Sequence, residues 1–129
     1  MDSFIGVTWE EKLIVGDDTA ISFLGIEGAR VLGTPWMILW MERTSRNAIK
    51  PLLPEGWDSV GTVVNIKHLS AAGMGTEVVF RAEVIEQNGK RVNFRVRCEA
   101  PHGVVGEGEH ERAVIDVARF AARVAENAK

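Results

Sequence analysis

Cysteine occurs once in the 129-residue chain, at Cys98, so no internal disulfide can form. A structural zinc site, which commonly takes two or more thiolates, is disfavoured for the same reason. No apolar run is long: Trp36 to Met41 falls far short of the roughly 20 residues that cross a bilayer. Met1-Asp2-Ser3 has neither the basic segment nor the apolar stretch that opens a secretory signal, so a soluble cytoplasmic protein is expected. A basic excess is also missing: 15 Lys and Arg against 18 Asp and Glu leave a net charge of −3. That argues against a general nucleic-acid binder. It leaves room for a ligand with a few phosphates, because local charge decides that. No linker, repeat or charge block divides residues 1–129, which read as a single domain. The composition, 46% apolar and 26% charged, is that of a soluble globular protein. A chain of this size buries roughly two thirds of its unfolded surface and needs no staple.

Local signals give an order of elements. Thr8 to Val15 reads as a strand. Gly16 to Gly33 is mixed, a short helix or a covering loop. Gly33-Thr34-Pro35 starts a helix, with Thr34 as N-cap and Pro35 at the first helical position. The helix should run to Ile49 and stop before Pro51. Its opening turns, Trp36 to Met41, are apolar all round, which predicts a helix surrounded by protein, either wrapped by a sheet or packed on a second copy. Leu52 to Asp58 reads as a loop and Val60 to Leu69 as a strand. Thr76–Glu86 and Arg91–Ala100 flank Asn88-Gly89, a favoured two-residue hairpin turn. Val92, Phe94, Val96, Cys98 and Ala100 alternate with polar residues, as in an antiparallel sheet with one wet face. Val104 to Ile115 forms a last strand, where Gly106 and Gly108 suggest a bulge or close backbone approach. Asp116 caps a final helix with Val117, Phe120, Ala121 and Val124 on its inner side. The layout is α+β, a long central helix against a curved antiparallel sheet.

Three polar residues stand where apolar ones are expected. His68 continues the row Val60, Thr62, Val64, Ile66. It reads either as a hydrogen-bonded histidine at a strand end or as a general acid/base. Glu42 follows the apolar run, where an ionised carboxylate is costly unless paired or facing a cavity. It reads as an ion pair with Arg43 or Arg46, or as a base or nucleophile. Thr34 is a plain cap, or a cap whose helix end also holds an oxyanion. Thr34 and Glu42 are eight positions apart, about 12 Å along one helix. They cannot touch one reacting atom from the same helix, but two helices packed antiparallel about a two-fold axis could bring them together. Cys98 reads as a small core residue. His102 reads as solvated, and His110 with Arg112 as a surface ion pair with Glu109 or Glu111. No histidine–carboxylate spacing suggests a metal.

Taken together, Gly33-Thr34-Pro35, Met41-Glu42, Ser59-Val60-Gly61-Thr62, His68 and the run Gly108 to Ile115 closely resemble the hotdog-fold thioesterases related to fluoroacetyl-CoA thioesterase. The resemblance spans roughly Val7 to Ala125. It implies a hotdog fold, a dimer or an assembly of dimers, and hydrolysis of an acyl-CoA thioester with no metal or cofactor. Matched residue by residue, Thr34, Glu42 and His68 correspond to the family's catalytic threonine, glutamate and histidine. Gly61 and Arg112 match positions that line the acyl pocket. The segment Ser22 to Leu32 has no evident counterpart of the family's phenylalanine-containing lid, and Trp36 and Trp40 make the helix bulkier. Short, medium or aryl acyl groups are therefore expected rather than fluoroacetyl alone, with Trp36 and Phe23 near the acyl group. Two rivals remain at this stage. A non-enzymatic acyl-CoA binding module would not need all three polar residues. A hydratase of related fold would want a close Asp/His pair, which is not found.

Overall fold

The computed structural model describes residues 2–128. Five strands form one antiparallel sheet: β1 (Thr8–Ile14), β2 (Trp57–His68), β3 (Glu77–Asn88), β4 (Arg91–Ala100) and β5 (Gly103–Asp116), in the order β1-β3-β4-β5-β2. Helix α1 (Thr34–Ile49) lies across the sheet, and α2 (Val117–Asn127) follows β5. The strands β3 and β4 turn their alternate apolar residues Val78, Phe80, Val84, Val92, Phe94, Val96 and Cys98 inward. Helix α1 answers with Met37, Met41 and Ile49, each at most 1% exposed. Burying side chains of this size stabilises the fold by about 1.5–3 kcal/mol each. The buried hydroxyls of Thr44 and Ser45 donate to the carbonyls of Trp40 and Met41 one turn back, so neither is left unpaired.

Three features differ from the sequence-based expectation, and on a fourth, the cover of α1, one chain supplies only part of what was expected from a sheet or a second copy. The cap of α1 is Gly33, and Thr34 is the first helical residue; Gly33 is closely covered, since a Cβ there would stand 2.9 Å from Trp36 Cδ1. The hairpin loop is Gly89-Lys90 rather than Asn88-Gly89. Asn88 pairs with Arg91, and Gly89, at φ 62°, takes the first central position of the turn. Helix α1 is not enclosed by its own chain: Trp36 and Leu39 stay 42% and 48% exposed, while Trp40 stacks on Phe80 at 5.8 Å. Asp116 does cap α2, its carboxylate accepting from Arg119 N–H, but Val117, Phe120 and Val124 remain exposed because α2 touches little besides β5.

Both glycines of β5 are places of close approach. A Cβ on Gly106 would come within 2.7 Å of Met37, and one on Gly108 would overlap the Asn65 carbonyl and Ile66 Cα. A bulge also falls here, Val105 lying between the pairs Cys98–Gly106 and Glu99–Val104. Gly106 pairs with His68 across the β2–β5 ladder. The missing side chain therefore lets α1 settle onto the sheet beside His68.

Candidate functional site

Strand β2 carries most of the site, and a bulge decides which residues face inward. Gly61 pairs with Arg112 and Val63 with Glu111, leaving Thr62 without a partner in the ladder. A bulge of this kind switches the face of the strand. Ser59 and Gly61 face α1 before it, and Val64, Ile66 and His68 after it. The uninterrupted inward row from Val60 to His68 therefore holds only from Val64 onward. Thr62 turns outward and donates to the Glu111 carboxylate at 2.5 Å.

Two clusters result. At the start of α1, Thr34 Oγ1 lies 2.7 Å from His68 Nδ1. Because Gly33 takes the capping position, the Thr34 hydroxyl is free to make this bond. The His68 ring is half-buried, and burial lowers its pKa below the ordinary histidine value, opposed by the Ser70 backbone. A neutral ring protonated at Nδ1 donates to Oγ1 and leaves the threonine proton for a substrate oxygen, whereas a ring unprotonated at Nδ1 accepts that proton, the geometry by which a base activates a hydroxyl.

The second cluster lies two turns further along α1. A Cβ on Gly61 would stand 3.2 Å from Glu42 Oε1, 3.1 Å from His110 Cε1 and 3.7 Å from Arg112 Nη1. Gly61 thus keeps open the space on which a carboxylate, an imidazole and a guanidinium converge. The arginines expected to neutralise Glu42 are engaged elsewhere. Arg43 meets Glu11 at 3.2 Å, and Arg46 grips Asp58 at 2.9 and 2.7 Å.

His110 and Arg112 are not a surface pair; they are 0% and 5% exposed. Arg112 donates to Ser59 Oγ and to the Ser59 carbonyl, both at 2.7 Å, and to His110 Nε2 at 3.2 Å. A guanidinium can only donate, so His110 Nε2 is the acceptor, and Nδ1–H donates to the Val63 carbonyl at 2.8 Å. Burial pushes the His110 pKa down, the Val63 carbonyl opposes this, and Arg112 adds to the lowering. Burial also lowers Arg112, with Glu42 opposing, but a guanidinium stays charged at any working pH. A sequence signal for this pair existed. Glu107, Glu109 and Glu111 alternate with Gly108, His110, Arg112 and Val114, which sets the histidine and arginine in the inward row.

Of the remaining expected residues, Trp36 stands half-exposed beside Gly33, and Phe23 projects 80% exposed from the loop before α1. Cys98 is fully buried, its thiol pushed up to about 12 by desolvation, which fits a core residue.

Comparison with known proteins places this architecture. A solved structure of fluoroacetyl-CoA thioesterase superposes with a TM-score of 0.86 at 28% identity, covering 98% of each chain. A thioesterase superfamily member from Thermus thermophilus matches at 0.86 and 29%, over 98% of this chain and 97% of that one. A hot-dog-like protein from Thermanaerovibrio acidaminovorans matches at 0.87 and 25%, over 95% and 91%. The fold is the α+β hotdog fold, and the class is the hotdog thioesterases. The profile of the fluoroacetyl-CoA-specific thioesterases matches residues 14–118. The fluoroacetyl-CoA thioesterase of Streptantibioticus cattleyicolor is 35% identical over 98 residues, 76% of this chain and 70% of that protein. The chain belongs to the fluoroacetyl-CoA-specific thioesterase family. No helix among the described residues is long and apolar enough to cross a membrane.

The buried histidines give a first prediction. Both are held below their ordinary value, so the unfolded chain takes up protons that the folded chain refuses as pH falls through about 6.5. Stability is complete above that value and declines below it. Asp58, held below the usual carboxylate range by Arg46, adds a further loss at more acid pH. Urea midpoints should therefore fall between about pH 7 and 5, and His110→Gln should flatten that slope. A midpoint independent of pH, or one rising toward acid, would contradict the burial of these rings.

Proposed function

We propose that this chain hydrolyses a small or medium acyl-CoA thioester to free acid and CoA, at a site shared by two copies of a single-domain protomer. Family membership supports the reaction class. The observation that carries the site is the separation, within one chain, of the Thr34–His68 pair from the Glu42 carboxylate facing Gly61. Eight helical positions put them about 12 Å apart. An edge strand can join them across a two-fold axis. β2 is one of the two edge strands of the sheet, with Val63 and Val64 48% and 43% exposed at its middle. Antiparallel pairing about these valines sets Gly61 opposite the partner subunit's Ile66, one pleat from the partner subunit's His68. The exposed Trp36 and Leu39 are then covered by the second copy.

In this arrangement Glu42 of one chain takes a proton from water as that water attacks the thioester carbon. The oxyanion forms at the start of the other chain's α1. There Pro35 has no N–H, and the N–H groups of Trp36 and Met37 already serve the Gly33 carbonyl. With His68 Nδ1–H donating to Oγ1, the Thr34 N–H and hydroxyl are left to hold it. The oxyanion collapses, the C–S bond breaks, and the proton that Glu42 took from water reaches the leaving CoA thiolate by way of His68, whose ring ends neutral as it began. Gly61 and Arg112 line the acyl side, with Trp36 and Phe23 limiting acyl length. No metal or cofactor takes part, and the cytoplasm is the compartment that supplies acyl-CoA.

Release of free thiol from a series of acyl-CoAs by the purified protein tests this reading. Turnover of short and medium chains is expected. Binding of the same thioesters without any turnover would make the chain a binding module instead. Gly61→Ala offers a finer test, because its methyl must press aside the end of Glu42 and ease the His110 ring back by a few tenths of an ångström. It should fold normally and lose on the order of 10- to 100-fold in kcat/KM, since small misplacements of a reacting group have costs of that size. Unchanged kcat/KM would remove Gly61 from the site.

A further inference from the structure

We propose that Ser70, braced by His102, is a positioning residue that locks the chain just after β2 and so holds the His68 ring in register with Thr34. This rests on the hydrolase reading above and adds two residues to its machinery, neither of which touches the substrate. Ser70 lies two residues beyond His68, the last residue of β2. His102 lies 32 residues further on, exposed in the turn between β4 and β5.

The β2–β5 ladder ends at the pair His68–Gly106. Beyond it, the N–H groups of Leu69 and Ser70 share one acceptor, the Val105 carbonyl, at 2.7 and 3.2 Å. The Ser70 hydroxyl supplies the next link, donating to the Val104 carbonyl at 2.8 Å. A hydroxyl has one proton. With that proton on Val104, Ser70 Oγ is the acceptor toward His102 Nε2, 3.1 Å away. An imidazolium and a neutral ring with Nε2–H both donate there, so the brace does not depend on the charge of His102. The turn itself is stiff. Ala100 pairs with Gly103, which leaves Pro101, its φ fixed by its ring, as the first of two central residues, and Gly103 follows at φ 134°.

The same segment reaches the other half of the pair. Ala72, fully buried, accepts from the Leu32 N–H at 2.8 Å, and Val31 bridges to Gly73. Leu32 stands two residues before Thr34. Ser70 is therefore midway along the stretch from His68 to the contact that anchors the start of α1. Slack there separates His68 Nδ1 from Thr34 Oγ1, which stand 2.7 Å apart. The Ser70 backbone also bonds to the His68 ring and opposes the lowering of its pKa by burial. A carbonyl, which accepts a ring N–H, acts in that direction. The Ser70 carbonyl thus favours one nitrogen of the neutral ring as the one that keeps its proton. Both the placement and the tautomer of His68 follow from where Ser70 is held.

The test compares Ser70→Ala with Ser70→Thr, which keeps the hydroxyl, and His102→Ala with His102→Gln, whose amide can still donate. In thiol release from an acyl-CoA, Ser70→Ala should lose about tenfold in kcat with KM within about twofold, because a displaced reacting group costs rate more than binding. His102→Ala should lose about threefold, the modest worth of one exposed hydrogen bond. Ser70→Thr and His102→Gln should stay within about twofold of wild type, since each keeps its bond. The second readout is the pair of His68 imidazole nitrogen shifts by NMR at about pH 8, where a histidine of ordinary or lowered pKa is neutral. In wild type the two shifts should lie far apart, as one dominant tautomer requires. In Ser70→Ala they should move toward each other, and in Ser70→Thr they should not. A merely structural role for Ser70 would lower the thermal midpoint and leave these shifts in place. Unchanged kcat and shifts in Ser70→Ala, a loss that threonine does not restore, or a fall in kcat with the shifts unmoved would overturn the proposal. Should Ser70→Ala not fold, His102→Ala against His102→Gln makes the same comparison from the exposed end. The shifts need no turnover. If wild type releases no thiol from any acyl-CoA, the hydrolase reading fails, and the His68 shifts alone decide whether Ser70 holds the ring.

Discussion

Replacing Glu42 with alanine or glutamine is expected to lower kcat by about 10²- to 10⁴-fold while leaving the fold intact, the usual cost of losing a general base. The size of the loss follows from the surroundings. The carboxylate lies beside the buried Arg112 and is claimed by neither Arg43 nor Arg46, so it is available to the substrate. Removing it destabilises little, because no ion pair within the chain is broken. Arg112 keeps its bonds to Ser59 and His110. His68→Ala and Thr34→Ala should each cost on the order of 10²-fold or more, through the lost proton donor and the lost oxyanion contact. Steady-state thiol release with thermal unfolding as a control measures all three. If the variants turn over as wild type does while folded, the catalytic assignment is wrong.

Breaking the β2 edge should abolish activity to a similar extent. Val63→Lys with Asn65→Lys places like charges on both copies of the exposed edge, a device that natural edge strands use against pairing. The variant should run as a monomer by light scattering and lose about 10²-fold or more in kcat/KM, because each protomer then presents Glu42 without a facing Thr34–His68 pair. Its thermal unfolding should remain cooperative, since the core of Phe80, Phe94, Met37 and Met41 lies within one chain. A monomer of full activity would show that the site is complete in a single protomer.

Elements fixed by local chemistry were legible in the sequence. Pro35 marked the start of α1, the Val92–Cys98 alternation marked β4, and Asp116 marked the cap of α2. Features fixed by contacts distant in sequence were less so. The bulge at Thr62 comes from pairing with β5 and reverses the face of β2, which periodicity within β2 alone cannot reveal. Gly33 takes the cap of α1, and this frees the Thr34 hydroxyl for His68, 34 residues away. His110 and Arg112 read as a surface pair because Glu109 and Glu111 flank them, yet the same alternation places them inward. The convergence of Glu42, Gly61, His110 and Arg112 depends on α1 crossing the sheet at one particular height. The apolar turns of α1 were expected to be covered by the sheet or by a second copy, and one chain buries Met37 and Met41 but leaves Trp36 and Leu39 exposed, while the apolar face of α2 stays exposed. The wet face of the sheet, by contrast, follows the alternation directly in Arg81, Arg95 and Arg97, paired with Glu10, Glu83 and Glu107.

The most direct measurement mixes two inactive proteins. Glu42→Ala and Thr34→Ala are purified separately, combined, allowed to exchange subunits and assayed for thiol release. In a mixed dimer one site carries both lesions and the other carries neither. Activity should therefore return to about a quarter of wild type once subunits are randomised, half the dimers being mixed and half their sites intact. No recovery after demonstrated exchange would mean that Glu42 and Thr34 serve the same chain, and the site shared between protomers would be refuted.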